Sequence, residues 1–412
     1  MAMRLSLCMI VKDEASNLPR CLDSVKGVVD EIIVLDTGST DATPDIARSY
    51  GAKLHHFAWC HDFSAARNKA LKFVTGDWVL VLDADEVLVE TIVPVLRQAM
   101  RQPHTLVVNL VRQEIGATQS PYSLVSRLFR HHPDLYFARP YHAMVDDSVG
   151  LLRQQEPDWQ IINCPDVAIQ HYGYQSSAIT SRDKLRKAQT TMEGFYTAHP
   201  QDPYVCSKLG ALYTETGDGQ RGIRVLEQGL RSLEAEDSEG RSIRTPDPQD
   251  APVRYELHYH LGIAYSRSQQ IDRAIHHYQQ AMAQPILDRL KLGAYNNLGS
   301  LLIAQNRLPE AQQSFQTCVT IDPKFAIGQF NLGATLKAMG QFEAAIQHYQ
   351  RAIQLQPTYA EAYQNLGVVL LKLGRVTESL AAFRRAIELH EATHSTEAQR
   401  LQNSLRDLGF PI

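Results

Sequence analysis

The stretch Gly76–Glu86, GDWVLVLDADE, runs from an apolar, strand-like segment into two aspartates one residue apart. Side chains two apart on an extended chain share a face, so Asp83 and Asp85 present carboxylates to one site. Such hard oxygen donors suit Mg²⁺ or Mn²⁺, and the cation can bridge protein carboxylates to a diphosphate. A second stretch, Ile32–Thr43 (IIVLDTGSTDAT), ends an apolar run at Asp36, whose carboxylate can accept a hydrogen bond from a base or ribose. Asp41, just beyond, reads as a helix N-cap. Two more segments carry polar groups at a strand tip or helix start: Met9–Glu14 (MIVKDE) and Phe63–Leu71 (FSAARNKAL). In the latter, Arg67 and Asn68 open a helix, and an arginine beside a metal site suits a phosphate. Further on, Val167–Tyr174 (VAIQHYGY) sets His171 after a short apolar strand, where it could face the diphosphate or metal. Tyr172 and Tyr174 either stack on base or sugar or simply pack. Ser126–Arg130 (SRLFR) falls by the expected acceptor cleft, where Arg127 and Arg130 could meet a phosphate, although a solvated strand face is the favoured reading.

These residues need a scaffold that gathers strand ends. From Arg4 to about Tyr174, apolar runs alternate with helical stretches. The runs are Arg4–Val11, Glu31–Asp36, Lys53–Phe57, Trp78–Leu82 and Thr105–Val111; the helices are Glu14–Val25, Thr43–Tyr50 and Ser64–Phe73. Near-continuous apolar runs mark strands buried on both faces, and the alternation predicts an open, mostly parallel α/β sheet. Ligands of such sheets bind at the carboxyl ends of the strands, where Asp36 and Asp83 fall.

The rest of the chain repeats itself. Leu298-Gly299, Leu332-Gly333 and Leu366-Gly367 are 34 residues apart, and Ala311, Ala345 and Ser379 keep the same step. This is the tetratricopeptide (TPR) signature, an all-α solenoid of stacked helix pairs. The expected organisation is a catalytic domain over 1–175, connecting helices and a first degenerate repeat over 176–231, an acidic Pro-bearing insertion over 232–252, and repeats over 253–412. The 412 residues carry Lys+Arg 41 against Asp+Glu 45, a near balance that opposes a nucleic-acid binder or a surface drawn to anionic membranes. Six scattered cysteines and the absence of any long apolar stretch point to a cytoplasmic protein with free thiols and no transmembrane segment.

Four ordered motifs, VKDE (Val11–Glu14), LDTGSTD (Leu35–Asp41), AARN (Ala65–Asn68) and GDWVLVLDADE, resemble those of the family 2 GT-A glycosyltransferases. The resemblance covers about Arg4–Tyr174, with the distinctive motifs ending near Glu86. It implies a Rossmann-like GT-A domain and inverting, metal-dependent transfer of a hexose from a nucleotide sugar, with a UDP-sugar favoured. It further implies that Val11, Glu14, Asp36, Arg67 and Asp83 bind the nucleotide sugar, and that Asp85, with His171, holds Mn²⁺ or Mg²⁺. Thr37 stands where the family usually has a second Asp, which leaves the base open. In repeat-bearing relatives the catalytic region reads like G-R-x-H-E; here Arg139–Asp147 is RPYHAMVDD, with Ala143 at the Glu position. Either His142 is the base, or Asp146 or Asp147 takes the part, or the acceptor needs little help, as a thiol would.

The branch is similar to bacterial transferases that modify peptides, including S-glycosyltransferases of bacteriocin precursors. That points to a peptide or protein acceptor held on the concave TPR face by Tyr295, Asn296, Gln329, Asn331, Tyr363 and Asn365. Saccharide or lipid-linked acceptors, a homodimer formed through the repeats, and an inactive transferase-like scaffold are the alternatives.

Overall fold

The parallel strands expected from the apolar runs are present and set the architecture. The computed structural model describes residues 3–117, 120–139, 143–173, 178–234, 250–393 and 395–410. The chain forms two compact units, Met1–Leu212 and Tyr213–Ile412.

In the first unit, β1 (Leu5–Val11) pairs in parallel with β2 (Glu31–Asp36) on one side and β4 (Trp78–Val81) on the other. β3 (Lys53–His56) adds to β2. The short β5 (Glu86–Leu88), β6 (Thr105–Glu114), β7 (Tyr122–Arg130) and β8 (Gln160–His171) complete an eight-stranded sheet in the order β3-β2-β1-β4-β7-β6-β8-β5. β7 runs antiparallel between β4 and β6, β8 lies parallel to β6, and β5 is antiparallel to β8.

Both faces of the sheet are covered, which is why its central strands are apolar throughout. Leu5, Leu7, Met9 and Val11 of β1 pack with Leu18, Cys21 and Leu22 of α1 (Leu18–Ser24) on one face. α2 (Thr43–Ser49) lies in sequence between β2 and β3. Cys8, Val79 and Val81 pack with Ala66, Ala70 and Leu71 of α3 (Phe63–Leu71) on the other face. α4 (Val93–Met100) joins the first face through Leu96, Ala99 and Met100. α5 (Asp146–Gln155) joins the second through Val149 and Leu152. α6 (Ala178–Ala198) follows β8, and α7 (Pro203–Thr216) carries the chain across the boundary between the units.

The register puts Val11 opposite Asp36 and Cys8 opposite Val81, so the carboxyl ends of β1, β2 and β4 lie together. β1 connects to β2 on one side while β4 lies on the other, a topological switch point. The fifth expected strand is longer than its apolar run, because β6 continues to Glu114 and carries Arg112 and Glu114 with it.

The second unit is helical: α8 (Gly219–Leu233), α9 (Ala251–Arg267), α10 (Ile271–Met282), α11 (Leu292–Ala304), α12 (Leu308–Ile321), α13 (Ala326–Ala338), α14 (Phe342–Leu355), α15 (Ala360–Lys372), α16 (Val376–Thr393) and α17 (Ser395–Asp407). The repeat has a direct steric cause. A Cβ on Gly299 of α11 would come 2.6 Å from the Phe315 ring of α12, and one on Gly367 of α15 would come 2.8 Å from the Phe383 ring of α16. Gly262 and Gly333 meet Tyr278 and Tyr349 at the same 16-residue offset. Each glycine therefore admits an aromatic ring from its partner helix, and burying such a ring contributes roughly 1.5–3 kcal/mol.

Of the residues expected to line an open concave face, Asn296 and Gln329 are buried. Asn296 accepts a hydrogen bond from Asn331 Nδ2 at 2.8 Å. Gln329 donates to the Pro323 carbonyl and meets His348 Nδ1 at 2.8 Å. These polar groups tie neighbouring helices together. Most of the acidic insertion, 235–249, lies outside the described residues. No helix of the described residues is long and apolar enough to cross a membrane.

Candidate active site

At the tips of β1 and β2, the Val11 carbonyl accepts hydrogen bonds from Thr37 N at 2.9 Å and Thr37 Oγ1 at 3.1 Å. A threonine at this position thus closes the two strand ends on each other. Asp36 is buried, with 3 % of its surface exposed. Its carboxylate accepts from Gly38 N at 3.1 Å and Ser39 N at 3.2 Å, and His56 Nδ1 lies 3.4 Å away. Burial alone would raise its pKa, but the bonds from Ser39 and Gly38 prevail and hold it below the ordinary value. Gly38 has φ +102°, a conformation that suits glycine and lets the turn fold over Asp36.

The loop after β1 is pinned to the same turn. Asp13 Oδ1 accepts from Thr40 N at 2.6 Å, and Asp41 accepts from Ala15 N at 3.0 Å and Thr43 N at 2.9 Å. Asp41 thus bonds the first backbone N–H of α2 from one residue ahead of the N-cap, which is Ala42 and not Asp41 as its position suggested. Glu14 donates its backbone N–H to Thr43 Oγ1 at 2.7 Å and accepts from Asn17 Nδ2 at 2.9 Å.

The two aspartates after β4 have different surroundings. Asp83 Oδ1 meets Arg67 at 2.7 Å and Asp83 Oδ2 meets Arg127 at 2.7 Å, so a guanidinium holds each oxygen. Desolvation opposes ionisation of Asp83, but Arg127 and Arg67 outweigh it and keep the carboxyl well below the usual range. Asp85 Oδ2 lies 3.3 Å from His171 Nε2. The other ring nitrogen, Nδ1, lies 2.6 Å from Glu114 Oε2. Burial would raise the pKa of Glu114, yet His171, Arg112 and Ser123 bring it down to about 2. An ionised carboxylate only accepts, so His171 Nδ1 donates and Nε2 is the nitrogen turned to Asp85. Desolvation would lower the imidazole pKa, but its bonds to Asp85 and Glu114 push it up to about 9.

Behind both aspartates lies Glu86, fully buried. Its Oε2 accepts from Asp83 N at 2.9 Å, while Oε1 meets Arg112 at 2.8 Å and Arg127 at 3.6 Å. Arg112 also bonds Glu114 at 2.8 Å. The residues Arg67, Asp83, Arg127, Glu86, Arg112, Glu114, His171 and Asp85 thus form one chain of alternating charge.

Glu86, Arg112, Glu114 and Arg127 were not among the site residues expected from sequence. The solvated face expected for Arg127 and Arg130 is not found. Arg127 is buried in the ion network. Arg130 donates to the carbonyls of Thr105 and Gln102 and lies over the Trp78 ring. The buried acid in DADE was the one available local signal for Glu86. Tyr172 packs under Arg20, 3.8 Å from its ring centroid. Tyr174 lies outside the described residues.

Gly173 adds a constraint on the space beside Asp85 and His171. A Cβ there would fall 2.5 Å from His171 Nε2 and 3.1 Å from Asp85 Oδ2. The Gly173 backbone therefore packs close against an imidazole nitrogen and a carboxylate oxygen, and the carboxylate is a donor of the kind Mn²⁺ and Mg²⁺ take. Among the described residues no set of three or more His, Cys, Asp or Glu side chains is gathered to hold a metal ion. A cation here would complete its coordination with diphosphate oxygens and water.

The second group of candidates lies at the start of α5. Arg139 grips Asp147 through two bonds, at 2.8 Å and 2.9 Å, and reaches Asp202 at 3.1 Å. Asp146 is exposed, and its Oδ1 lies 2.9 Å from Ser126 Oγ. Both acids occupy the first turn of the helix, where its dipole favours negative charge. Neither makes a hydrogen bond or ion pair with Asp83 or Asp85. His142 lies outside the described residues. α3 positions the segment before it: Asn68 bonds both backbone groups of Phe137, at 2.8 Å and 2.7 Å, and Ser64 Oγ donates to the Arg139 carbonyl at 2.8 Å.

The chain resembles known proteins both in its first part and in its repeats. Residues 6–162 match the model of glycosyl transferase family 2, and residues 292–325, 335–374 and 360–392 match models of tetratricopeptide repeats. A TPR repeat-containing protein of Synechococcus elongatus is 47% identical over 320 residues, 78% of this chain and 76% of that protein. The SPbeta prophage-derived glycosyltransferase SunS of Bacillus subtilis is 30% identical over 200 residues, 47% of this chain and 45% of SunS. This chain thus spans less than half the length of that relative. Among solved structures, the crystal structure of MamA covers 45% of this chain at 23% identity with a TM-score of 0.37. The chain belongs to the TPR repeat-containing proteins and carries, ahead of its repeats, a GT-A domain of glycosyl transferase family 2.

Proposed function

We propose that the protein transfers a hexose, with inversion and with the help of Mn²⁺ or Mg²⁺, from a nucleotide sugar to a peptide or protein acceptor recruited by the repeats. A UDP-sugar is the favoured donor, and the cytoplasm is the proposed setting. The observation that carries the reading is the meeting of Asp85 and His171, 3.3 Å apart, beside an Asp83 whose two oxygens are both held by arginines. Asp85 and His171 would hold the cation, which when bound neutralises charge on the departing diphosphate.

Asp36, Val11 and Glu14 border the base and ribose in this reading, and Asp83, fixed by Arg67 and Arg127, orients the ribose. The acceptor atom attacks the anomeric carbon from the face opposite the diphosphate. Its new bond forms as the bond to the diphosphate oxygen breaks, which gives one inversion. The acceptor proton passes to a base. Arg139 engages Asp147 through both oxygens, whereas Asp146, among the described residues, accepts from the Ser126 hydroxyl and has no such guanidinium. A thiol acceptor would depend least on that base, since some is already thiolate near neutrality.

Calorimetric titration with UDP and GDP, each with and without Mn²⁺, tests the donor site. Metal-dependent binding of UDP is the expected result. A folded protein that binds neither nucleotide in either condition would remove the transferase reading and leave a repeat scaffold.

A further inference from the structure

We propose that Glu114 is a positioning residue that, with Arg112 behind it, holds the His171 imidazole so that Nε2 stands ready beside Asp85 as a cation ligand. The inference rests on the cation reading of Asp85 and His171 and adds what builds that pair.

Strand register supplies the first support. His171, the last residue of β8, lies opposite Glu114 of β6 on one side and opposite Glu86 of β5 on the other. The backbone around it is tied on both flanks, by Ile115 N to the His171 carbonyl at 2.9 Å and by Tyr172 N to the Asp85 carbonyl at 3.0 Å. With the main chain fixed, rotation of the imidazole is the principal remaining freedom.

The two oxygens of Glu114 divide the work. Oε1 takes Arg112 Nε at 2.8 Å and Ser123 Oγ at 2.7 Å, which locks the carboxylate in place. Oε2 is then directed at His171 Nδ1, 2.6 Å away. An acceptor fixed at Nδ1 keeps that proton in place, so the proton a cation would displace is the one on Nε2, and that nitrogen becomes the ligand.

Arg112 extends this order to the aspartates. Its other end reaches Glu86, whose second oxygen receives the Asp83 backbone N–H. One guanidinium therefore joins the carboxylate that orients His171 to the carboxylate that shapes the Asp83–Asp85 turn. Both halves of the ligand pair refer to a single buried frame.

The test uses the full-length protein with UDP present. Mn²⁺ binding is followed by the electron paramagnetic resonance of free Mn²⁺. The His171 tautomer is read in metal-free protein above pH 9, where the imidazole is neutral, from long-range ¹⁵N–¹H NMR of histidine-labelled protein, assigned with His171→Gln. Glu114→Ala should weaken Mn²⁺ binding roughly 10–100-fold and mix the tautomers. Glu114→Gln can still accept from Nδ1 through its amide oxygen, so it should retain more affinity than Glu114→Ala. It also keeps the shape of the site should the alanine variant fail to fold.

Unchanged Mn²⁺ affinity and an unchanged tautomer in a folded Glu114 variant, with affinity lost in Asp85→Asn, would overturn the role of Glu114 alone. A wild-type protein that binds UDP but no Mn²⁺ would overturn the cation reading and this inference with it.

Discussion

Gly173→Ala places one methyl group against both proposed cation ligands. The added Cβ lies 2.5 Å from His171 Nε2, 2.8 Å from Cε1 and 3.1 Å from Asp85 Oδ2. Comfortable contacts between such atoms begin near ~3.5 Å, so the imidazole must retreat by on the order of 1 Å. Metal–ligand distances tolerate only about 0.2 Å. The displaced nitrogen could not remain a ligand. Mn²⁺ affinity in the presence of UDP should fall at least roughly tenfold, the scale seen when a ligand loses its support. Global stability should fall by about 1–3 kcal/mol, because the crowded His171 and Asp85 side chains are tied into the ion network. Calorimetry of Mn²⁺ binding beside urea unfolding separates the two effects. A folded Gly173→Ala protein with wild-type Mn²⁺ affinity would refute the placement of the cation between Asp85 and His171.

Three other perturbations address the rest of the molecule. Gly299→Val pushes a branched side chain into the Phe315 ring, already 2.6 Å from a single Cβ, and should destabilise the repeats by about 1–3 kcal/mol or more in chemical denaturation; an unchanged midpoint would sink the close-crossing explanation of the repeat. In the α9–α10 pair, His258 Nδ1 and His277 Nδ1 lie 3.0 Å apart. Burial, with His277, Arg254 and His276 adding, lowers the His258 pKa to about 3. Burial and His276 likewise bring His277 to about 4. Both folded values lie below the ordinary 6.5, so the unfolded chain takes up protons first as the pH falls. Their stabilising contribution is complete above about pH 6.5 and is lost on the way down to 4 and then 3. Urea midpoints of the repeats should therefore drop between pH 7.5 and 4.5, and His277→Gln should flatten that slope; equal slopes in the two proteins would exclude the pair as its source. Ending the chain at Leu212, the limit of the first compact unit, should spare hydrolysis of the sugar nucleotide and lose transfer to a polypeptide. Full transfer by the truncated protein would remove the recruiting role of the repeats.

What could be read from sequence divides along physical lines. β1, β2 and β4 are near-continuous apolar runs that end in charged residues, so both the parallel sheet and its functional edge were legible. The 34-residue step was legible for the steric reason seen at Gly299 and Gly367. Arg112, Glu114 and Arg127 were not, because they sit on β6 and β7, where no local motif marks them. Glu114 meets His171 across 57 residues of sequence, through a strand pairing that local pattern does not specify. The open face expected for Asn296 and Gln329 failed for a related reason. A repeat period tells which turn of a helix a residue occupies but not how deeply the next helix covers it.

The ion network also explains why two aspartates one residue apart can do different work. Alternation on a strand puts both carboxylates toward one site, yet the chain leaves the strand after Val81 and turns. Glu86 closes that turn by accepting from Asp83 N and leaves Asp83 between Arg67 and Arg127. Removing one partner of such a half-buried cluster costs on the order of 3–5 kcal/mol where the remaining charge cannot be rehydrated. Asp83 is accordingly committed to its arginines, and each of its oxygens already has a cation. Asp85, two residues on, pairs among the described residues with His171, a group that can give up its proton to a competing cation. The asymmetry is what the proposed reading uses in giving the metal to Asp85 and the fixed, orienting role to Asp83. On this account Asp83→Asn should disturb the fold of the site as well as the nucleotide, whereas Asp85→Asn should disturb the cation alone.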